Sequence, residues 1–237
     1  GIFSWDFGLS FRFANVPVID VISTGFAISP VLALSALAIA IPIGIWLGTF
    51  AALRVGQLAD TAVILVLAAG ISIPNFALAS FLVYLFAIQL NLVPVAGWGT
   101  FYQAVLPVVI LAVPPTAYIA RLSRTYMLEV LQQDYIRTAR AKGLRDSIVI
   151  YRHALRNTLV PLLTTIGIIF GGLLSGTFVV ETIFNIPGLG SMAIQAIFAR
   201  DYPVTMTIVL LFTFFPYRRF LNPRNFAPFG ANLANFG

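Results

Sequence analysis

The side chains that could do chemistry are concentrated in one stretch of the chain, between positions 121 and 156. Eight of the 14 Lys and Arg residues and the only histidine, His153, lie there, and the flanking stretches carry almost no charge. Such a cluster could bind nucleic acid, since basic patches attract phosphates. Its confinement to one loop between apolar stretches is instead typical of a membrane protein, in which Lys and Arg collect on the cytoplasmic side. We therefore interpret the cluster as a membrane-surface loop and not as a nucleic-acid site.

No arrangement of residues typical of catalysis is found in the sequence. The chain has no Gly-x4-Gly-Lys-Ser/Thr string, and Lys142 is its only lysine, so no nucleotide-binding loop is predicted. It has no cysteine, and no acid–base or nucleophile–base pair lies within an apolar stretch. His153 as a proton relay is the alternative, but it lies among arginines, whereas transporter relays lie inside spans. The sequence predicts a protein that is not an enzyme and has no cofactor or metal.

The composition argues for a protein that lies in a bilayer. Hydrophobic residues make up 59% of the chain and charged residues 9%, against about 45–50% and about 25% in soluble domains. So few charged side chains cannot supply the polar shell that a soluble fold needs. A bilayer removes that requirement, so the sequence predicts an integral membrane protein.

Uncharged stretches long enough to cross a bilayer locate the spans. About 20 apolar residues cover a hydrocarbon core about 30 Å thick. We predict an all-α fold with about five membrane helices, a short cytoplasmic helix and a surface helix near 191–199. The predicted spans are 29–53, 61–90, 104–128, 158–180 and a short last one at 202–217, which is broken at Pro216. If the chain crosses at each span, twelve of the 14 Lys and Arg residues fall on one side, which we predict to be cytoplasmic.

The segment between the third and fourth predicted spans has the pattern of two short helices. Asp134 is placed to cap the first helix, Gly143 to end it in the left-handed conformation, and Asp146 to cap the second. Tyr135, Ala139 and Gly143 recur at four-residue spacing and form a stripe bordered by Arg and Lys. The small residues on that stripe would let the backbone of another protein approach closely.

Proline and glycine positions predict two further features of the spans. A bend is predicted at 72–76, where Ser72, Pro74, Asn75 and Phe76 either line a cavity or only kink the helix. Glycines at four-residue spacing in the fourth predicted span favour close packing, against a partner subunit or against another span. These glycines are Gly167, Gly171, Gly172 and Gly176.

Two arginines at the end of the third predicted span are expected to reach the cytoplasmic surface. They are Arg121 and Arg124, and helix-end arginines commonly extend to the membrane interface. Glu129, five residues past Arg124, is a candidate ion-pair partner there. We expect these residues to have a structural role.

Several strings of residues occur in a characteristic order along the chain. They are Asp6-Phe-Gly-Leu-Ser10, Tyr135-Ile-Arg-Thr-Ala-Arg-Ala-Lys-Gly-Leu144, Arg152-His-Ala-Leu-Arg-Asn157, Leu159-Val-Pro161, Val179-Val-Glu-Thr-Ile-Phe-Asn-Ile-Pro-Gly-Leu-Gly190 and Arg200-Asp-Tyr-Pro-Val204. With them, about 5–212 resembles permease subunits of ABC importers, in the dipeptide and oligopeptide branch, and there the first (B-type) permease of the usual pair. The general signature of such permeases is matched only at Ala139, Gly143 and Leu155.

The resemblance implies a function and a set of partners. The segment around Gly143 would be a coupling helix in a groove of a cytoplasmic ATPase subunit, and ATP-driven closure of two such subunits would tilt the spans. An extracytoplasmic binding protein would deliver the solute, and a second permease subunit would form a heterodimer with this chain in the cell membrane of a prokaryote. The coupling residues would be Asp134, Tyr135, Arg137, Thr138, Ala139, Arg140, Ala141, Lys142, Gly143 and Leu144.

The chain departs from the family pattern at both ends. Such permeases usually have six spans, of which the first is missing here, and the last span is short. We expect a truncated chain, with a transmembrane domain at 1–215 and an irregular tail without family resemblance at 216–237. The alternatives are a secondary transporter, which should have ionisable residues at midspan and an inverted repeat, and a non-functional permease fragment. Peptides, nickel and glutathione all fit the solute of this branch.

Overall fold

Helices form nearly all of the described chain, which confirms the predicted all-α fold class. The computed structural model describes the backbone of residues 7–220 and the side chains of residues 7–213 except that of Ser175. Two π-helical stretches, Val83–Gln89 and Val149–Ala154, continue α3 and join α6 to α7. The α-helices of the described part are α1 (Val18–Leu53), α2 (Leu58–Ser72), α3 (Asn75–Leu82), α4 (Phe101–Leu131), α5 (Asp134–Ala141), α6 (Asp146–Ile148), α7 (Leu155–Ile183), α8 (Leu189–Phe198) and α9 (Tyr202–Phe220).

Three helices in the described residues are long and apolar enough to cross a membrane. They are Val18–Leu53, Phe101–Leu131 and Asp146–Leu174, and the bent pair of α2 and α3 is a fourth if it counts as one span. These four correspond to the first four predicted spans. The apolar part of α9, Tyr202–Thr213, is shorter than a span, so the fifth span stays a prediction.

Two predicted helix limits are wrong. The first span begins at Val18 rather than near position 29, because the apolar face of its first turns packs against α8 and α9 at Leu189 and Val204. The last helix continues past Pro216 to Phe220. A proline removes one backbone hydrogen bond from a helix, and membrane helices tolerate that loss without ending. The predicted irregular tail at 216–237 is helical up to Phe220, and its remainder at 221–237 lies outside the described residues.

The second span is broken at its middle by a 99° bend between α2 and α3, as predicted at 72–76. The steric clash of Pro74 with the preceding residue disfavours helical dihedrals at Ile73. Ile73 is extended, with φ −81° and ψ 120°, and Pro74 follows with ψ 140°. Pro74 therefore favours the bend, although prolines such as Pro42 and Pro161 lie inside unbroken helices of the same chain.

The central packing of the fold is that of α4 against α1. A Cβ atom built on Gly48 would overlap the carbonyl oxygen of Ala120 and lie 2.5 Å from Cβ of Ser123. Only glycine lets the two backbones come this close. Around the contact lies the main apolar core, which α1 and α4 share with α3 and α7 and which includes Leu32, Ile110 and Ile119.

Smaller clusters close the two ends of the bundle. At the end with most of the Arg residues, here called the basic end, six buried side chains pack together: Ala52, Met127, Ile136, Ala139, Val149 and Ala154. The opposite end is closed by residues of α1, α8 and α9, which include Ile22, Leu189 and Ile208. There the buried carboxylate of Asp201 accepts hydrogen bonds from the Ser10 hydroxyl and from the backbone N–H groups of Phe11 and Arg12.

Candidate functional site: the coupling segment and the bent span

The predicted coupling segment, residues 134–144, is held on the basic end by its apolar side. Ile136 and Ala139 of α5 are buried in the basic-end cluster. Only two residues, Gln132 and Gln133, separate α5 from the end of α4. On its other side, the helix that starts at Asp146 continues without a break into α7. The short helix is thus fixed to the ends of two spans.

The turn after α5 has the predicted conformation. Gly143 has a φ of +75°, which is the left-handed region that favours glycine. Its N–H donates to the carbonyl of Arg140 at 2.9 Å. A weak ion pair between Arg140 and Asp146, at 3.8 Å, bridges the turn.

The predicted aspartate caps are wrong by one residue. The N-cap positions are Gln133 and Arg145, and neither makes a side-chain capping hydrogen bond. Asp134 and Asp146 lie in the first helical turn instead, and Asp134 contacts Arg137 at 3.6 Å. Both helix starts are exposed, so water can satisfy their free N–H groups without a side-chain cap.

The predicted stripe on α5 does not face outward along its whole length. Ala139 is 7% exposed because it packs inward beside Ile136. The hydroxyl of Tyr135 accepts a hydrogen bond from the side-chain amide of Asn157 on α7 at 2.9 Å. A partner would instead meet the exposed remainder of the segment, which consists of Asp134, Tyr135, Arg137, Thr138, Arg140, Ala141, Lys142, Gly143 and Leu144.

The residues of the predicted cavity lie together at the bend. Ser72, Pro74 and Phe76 are exposed, and Asn75 is partly buried. The Ser72 hydroxyl donates to the carbonyl of Ala68 within α2. The structure thus brings together the four residues, and their role in lining a pathway stays a prediction.

The predicted glycine packing is wrong where it names another span of this chain. A Cβ atom on Gly167, Gly172 or Gly176 would meet nothing within 4 Å, so none of these three glycines packs closely against another span. Gly172 and Gly176 lie four residues apart on one open face of α7, and Gly167 lies on the opposite side of the helix. Gly171 is buried. Contact with a partner subunit stays a prediction. The glycine pair that does pack closely within the chain is Gly44 and Gly48 on α1, whose equal four-residue spacing was a signal that the sequence analysis missed.

Two buried polar contacts were also missed. Arg124 does not pair with Glu129; its Nε and Nη2 each lie 2.7 Å from a carboxylate oxygen of Asp60. Asp60 is 4% exposed, and its position directly before a long uncharged stretch was a usable signal. The second contact joins Glu181 to Ser29 across 152 residues of sequence, and nothing in local spacing predicts it.

An all-helical membrane fold with a short amphipathic helix fixed between two spans defines the transmembrane subunit of a transport system. The chain belongs to the family of the binding-protein-dependent transport system inner membrane component, whose family model matches residues 40–217. The chain is therefore a membrane-embedded permease subunit and not itself an enzyme.

Two relatives are dipeptide and oligopeptide permeases, which confirms the branch that the sequence resembles. Over 212 residues the chain is 45% identical to the dipeptide transport system permease protein of Bacillus subtilis (strain 168), covering 90% of this chain and 69% of that protein. Over 208 residues it is 38% identical to the oligopeptide transport system permease protein of Haemophilus influenzae (strain ATCC 51907 / DSM 11121 / KW20 / Rd), covering 87% of this chain and 68% of that protein.

Two solved structures share the fold. A crystal structure of an amino acid ABC transporter aligns with a TM-score of 0.65 at 15% identity, covering 84% of this chain and 89% of that one. The methionine ABC transporter in inward-facing conformations aligns with a TM-score of 0.66 at 21% identity, covering 87% and 93%. At these identities the likeness establishes the fold alone.

Proposed function

We propose that the chain is the pore-forming permease subunit of an ATP-driven importer of peptides. The observation that carries the proposal is the coupling segment, which is seated on the basic end by buried side chains and joined by one short turn to the helix that continues into α7. A seated helix transmits displacement, whereas a mobile loop would absorb it. The names of the dipeptide and oligopeptide relatives support peptides as the solute, and nickel and glutathione remain the other solutes of the branch.

The exposed side of the coupling segment is the proposed docking site of a cytoplasmic ATPase subunit. Leu144 is 38% exposed and lies among the exposed cations Arg137, Arg140 and Lys142. An apolar residue within a charged rim is typical of protein interfaces. ATP hydrolysis then takes place in the partner, and the segment transmits its movement.

The other partners occupy the remaining faces. A second permease subunit packs on the open glycine face of α7, where Gly172 and Gly176 permit close helix approach. Ser72, Pro74, Asn75 and Phe76 at the bend line part of the pathway between the two permeases. The basic end faces the cytoplasm of a prokaryote, and a substrate-binding protein docks at the opposite end.

The secondary-transporter alternative is disfavoured by family membership and by charge placement. A secondary transporter needs ionisable residues near the bilayer midplane, and residues 61–120 and 157–180 contain no Asp, Glu, His, Lys or Arg. Asp60 precedes these stretches and is already paired with Arg124. A non-functional permease fragment would keep the fold but bind no ATPase.

Co-purification of the ATPase subunit tests the proposal. The chain is expressed with its genomic neighbours, as wild type and as Leu144→Glu, with Leu58→Glu as the control because Leu58 is 90% exposed outside the segment. We expect wild type and Leu58→Glu to retain the ATPase subunit and Leu144→Glu to lose it. Retention by Leu144→Glu would exclude this docking site, and no ATPase with wild type would favour the fragment.

A further inference from the structure

The far end of α7 holds a buried carboxylate at the meeting point of three helices. Glu181 is fully buried, and its Oε1 accepts the hydroxyl hydrogen of Ser29 on α1 at 2.6 Å. Its Oε2 accepts the N–H of Ser191 in the first turn of α8 at 3.0 Å. The Ser29 oxygen in turn accepts the N–H of Leu189 at 2.8 Å. One carboxylate thus connects α7, α1 and α8.

Glu181 is held by neutral hydrogen-bond donors. None of the ion pairs in the described part of the chain includes it. Its donors are a hydroxyl and a backbone N–H at the start of a ten-residue helix. A buried carboxyl group held in this way favours one arrangement, because separating it from α8 would leave its oxygens without hydrogen-bond partners.

The backbones at this joint are in contact. A Cβ atom on Gly188 would overlap both carboxylate oxygens of Glu181, and one on Gly190 would lie 2.5 Å from Cα of Phe178 on α7. On the α1 side, a Cβ atom on Gly25 would lie 2.8 Å from the backbone nitrogen of Leu189. The joint therefore has no free space in which α8 could slide relative to α7 and α1.

The coupling segment and this joint lie at the two ends of one helix. The helix from 146 to 183, formed by α6, the π-helical stretch and α7, is continuous and roughly 55 Å long at 1.5 Å per residue. A displacement of α5 passes through the short turn at 142–145, which the Arg140–Asp146 ion pair bridges, and from there runs along one uninterrupted helix to its far end. At that end, the only polar side chain of α7 that is fixed to both α1 and α8 in the described residues is Glu181.

We propose that Glu181 is a positioning residue that transmits the movement of α7 to α8 and to the adjoining part of α1. The opposite end of the permease thereby opens and closes as one body when the coupling segment moves. This inference rests on the proposed function, because it presupposes an ATP-driven displacement at the basic end.

Distance measurements at both ends of the assembled transporter test the inference. The chain has no cysteine, so spin labels can be placed on introduced cysteines at exposed sites. One pair, Phe198 and Phe101, reports on α8 against α4 at the opposite end, and the other, Tyr151 and Leu58, reports on the basic end. In wild type, ATP binding by the partner should change both distances.

The Glu181→Gln variant should uncouple the movement of the opposite end from that of the basic end. The amide of glutamine has only one oxygen, so its NH2 group would face either the Ser29 hydroxyl or the N–H of Ser191, both of which donate to Glu181. The joint therefore loosens although the shape of the side chain is kept. The basic-end distance should change as in wild type, and the opposite-end distance should not. Solute uptake should fall by about tenfold or more while ATP hydrolysis continues, because the joint between the two ends loses a buried hydrogen bond. Ser29→Ala, which removes one donor, should act in the same direction, and Glu129→Gln, at an exposed glutamate, should have no effect.

Each other outcome has a definite meaning. An unchanged opposite-end movement in Glu181→Gln would overturn the inference. So would failure of both Glu181→Gln and Ser29→Ala to assemble while Glu129→Gln assembles, because Glu181 would then serve folding alone. If neither distance changes in wild type on ATP binding, the proposed function fails instead.

Discussion

Three buried carboxylates, those of Asp60, Glu181 and Asp201, join parts of the chain that are distant in sequence. Each has a different kind of partner: Asp60 an arginine, Glu181 a hydroxyl and a helix start, and Asp201 the N-terminal segment at 10–12. The sequence shows such residues as isolated charges beside apolar stretches. It does not show their partners, because the distances along the chain are long and a single sequence has no signal for them.

The Asp60–Arg124 pair should contribute measurably to stability. In Asp60→Asn the guanidinium of Arg124, whose side chain is only 22% exposed, loses its charged partner. We expect the free energy of unfolding to fall by about 1–3 kcal/mol, the usual cost of removing one partner of a buried polar pair. Thermal unfolding of the purified chain in detergent measures it. Asp134→Asn is the control, because the Asp134 side chain is 97% exposed. Equal melting temperatures of the two variants would contradict the prediction.

The Asp201 contact should depend on pH in a defined direction. Burial acts to raise the pKa of Asp201, but hydrogen bonds from Ser10, Phe11, Arg12 and Val204 outweigh it and hold the pKa below its usual value. A lowered pKa means that the ionised form stabilises the fold. That stabilisation is complete above the ordinary aspartate pKa of about 3.9 and is lost as the pH falls through the lower folded-state value.

Hydrogen exchange at the amides of Phe11 and Arg12 measures this contact. Protection should be constant from neutral pH down to about pH 4 and should be lost only as the pH falls further, through the lowered folded-state pKa of Asp201. Asp201→Asn should remove it at neutral pH as well, whereas Asp20→Asn, at an exposed carboxylate, should leave it unchanged. Protection of these amides that persists in Asp201→Asn would show that other contacts hold the segment.

At the scale of elements, the Pro74 bend and the Gly143 turn were predicted correctly, whereas the aspartate caps, the helix end at Pro216 and the helix faces were not. The bend and the turn depend on backbone sterics within a few residues, so the residue types there indicate them. The direction in which Ala139 or Gly172 faces depends on where α4 and α7 lie. A small residue at helical spacing marks a close contact or an open face equally well.

Glycine substitutions on two helices should distinguish these cases. Gly48→Ala should destabilise the chain by about 1–3 kcal/mol, as overpacking does, because the added methyl group meets the backbone of α4. Gly172→Ala should not destabilise it, since its Cβ atom meets nothing and alanine favours the helix by about 0.5–1 kcal/mol. Thermal unfolding of both variants in detergent compares them, and a lower stability of Gly172→Ala would contradict the open face.

Gly172→Leu extends the comparison to the partner. If the open face of α7 binds a second permease, this variant should fold alone but co-purify less of the partner subunit. Retention of the partner at the wild-type level would place the interface elsewhere.

For the whole molecule, composition and uncharged stretches were sufficient for the fold class and for four of the predicted spans. Which membrane helices contact one another could not be predicted from the sequence, because their nearly uniform hydrophobicity leaves each of them without a distinct buried face. The side of the membrane that each end faces stays a prediction, which is based on arginine placement alone. We expect Lys142→Cys to react with an impermeant maleimide only after cells are opened, and Arg200→Cys to react in intact cells. The reverse pattern would invert the topology.

The central claim is that the coupling segment transmits the ATP-driven movement on which peptide import depends. Uptake in vesicles tests this claim most directly. The chain is reconstituted with its partner permease, ATPase subunits and binding protein, and a labelled dipeptide is followed on addition of ATP. We predict ATP-dependent accumulation with wild type and Leu58→Glu, and none with Leu144→Glu. Accumulation that needs an ion gradient in place of ATP, or that is unchanged in Leu144→Glu, would contradict the account.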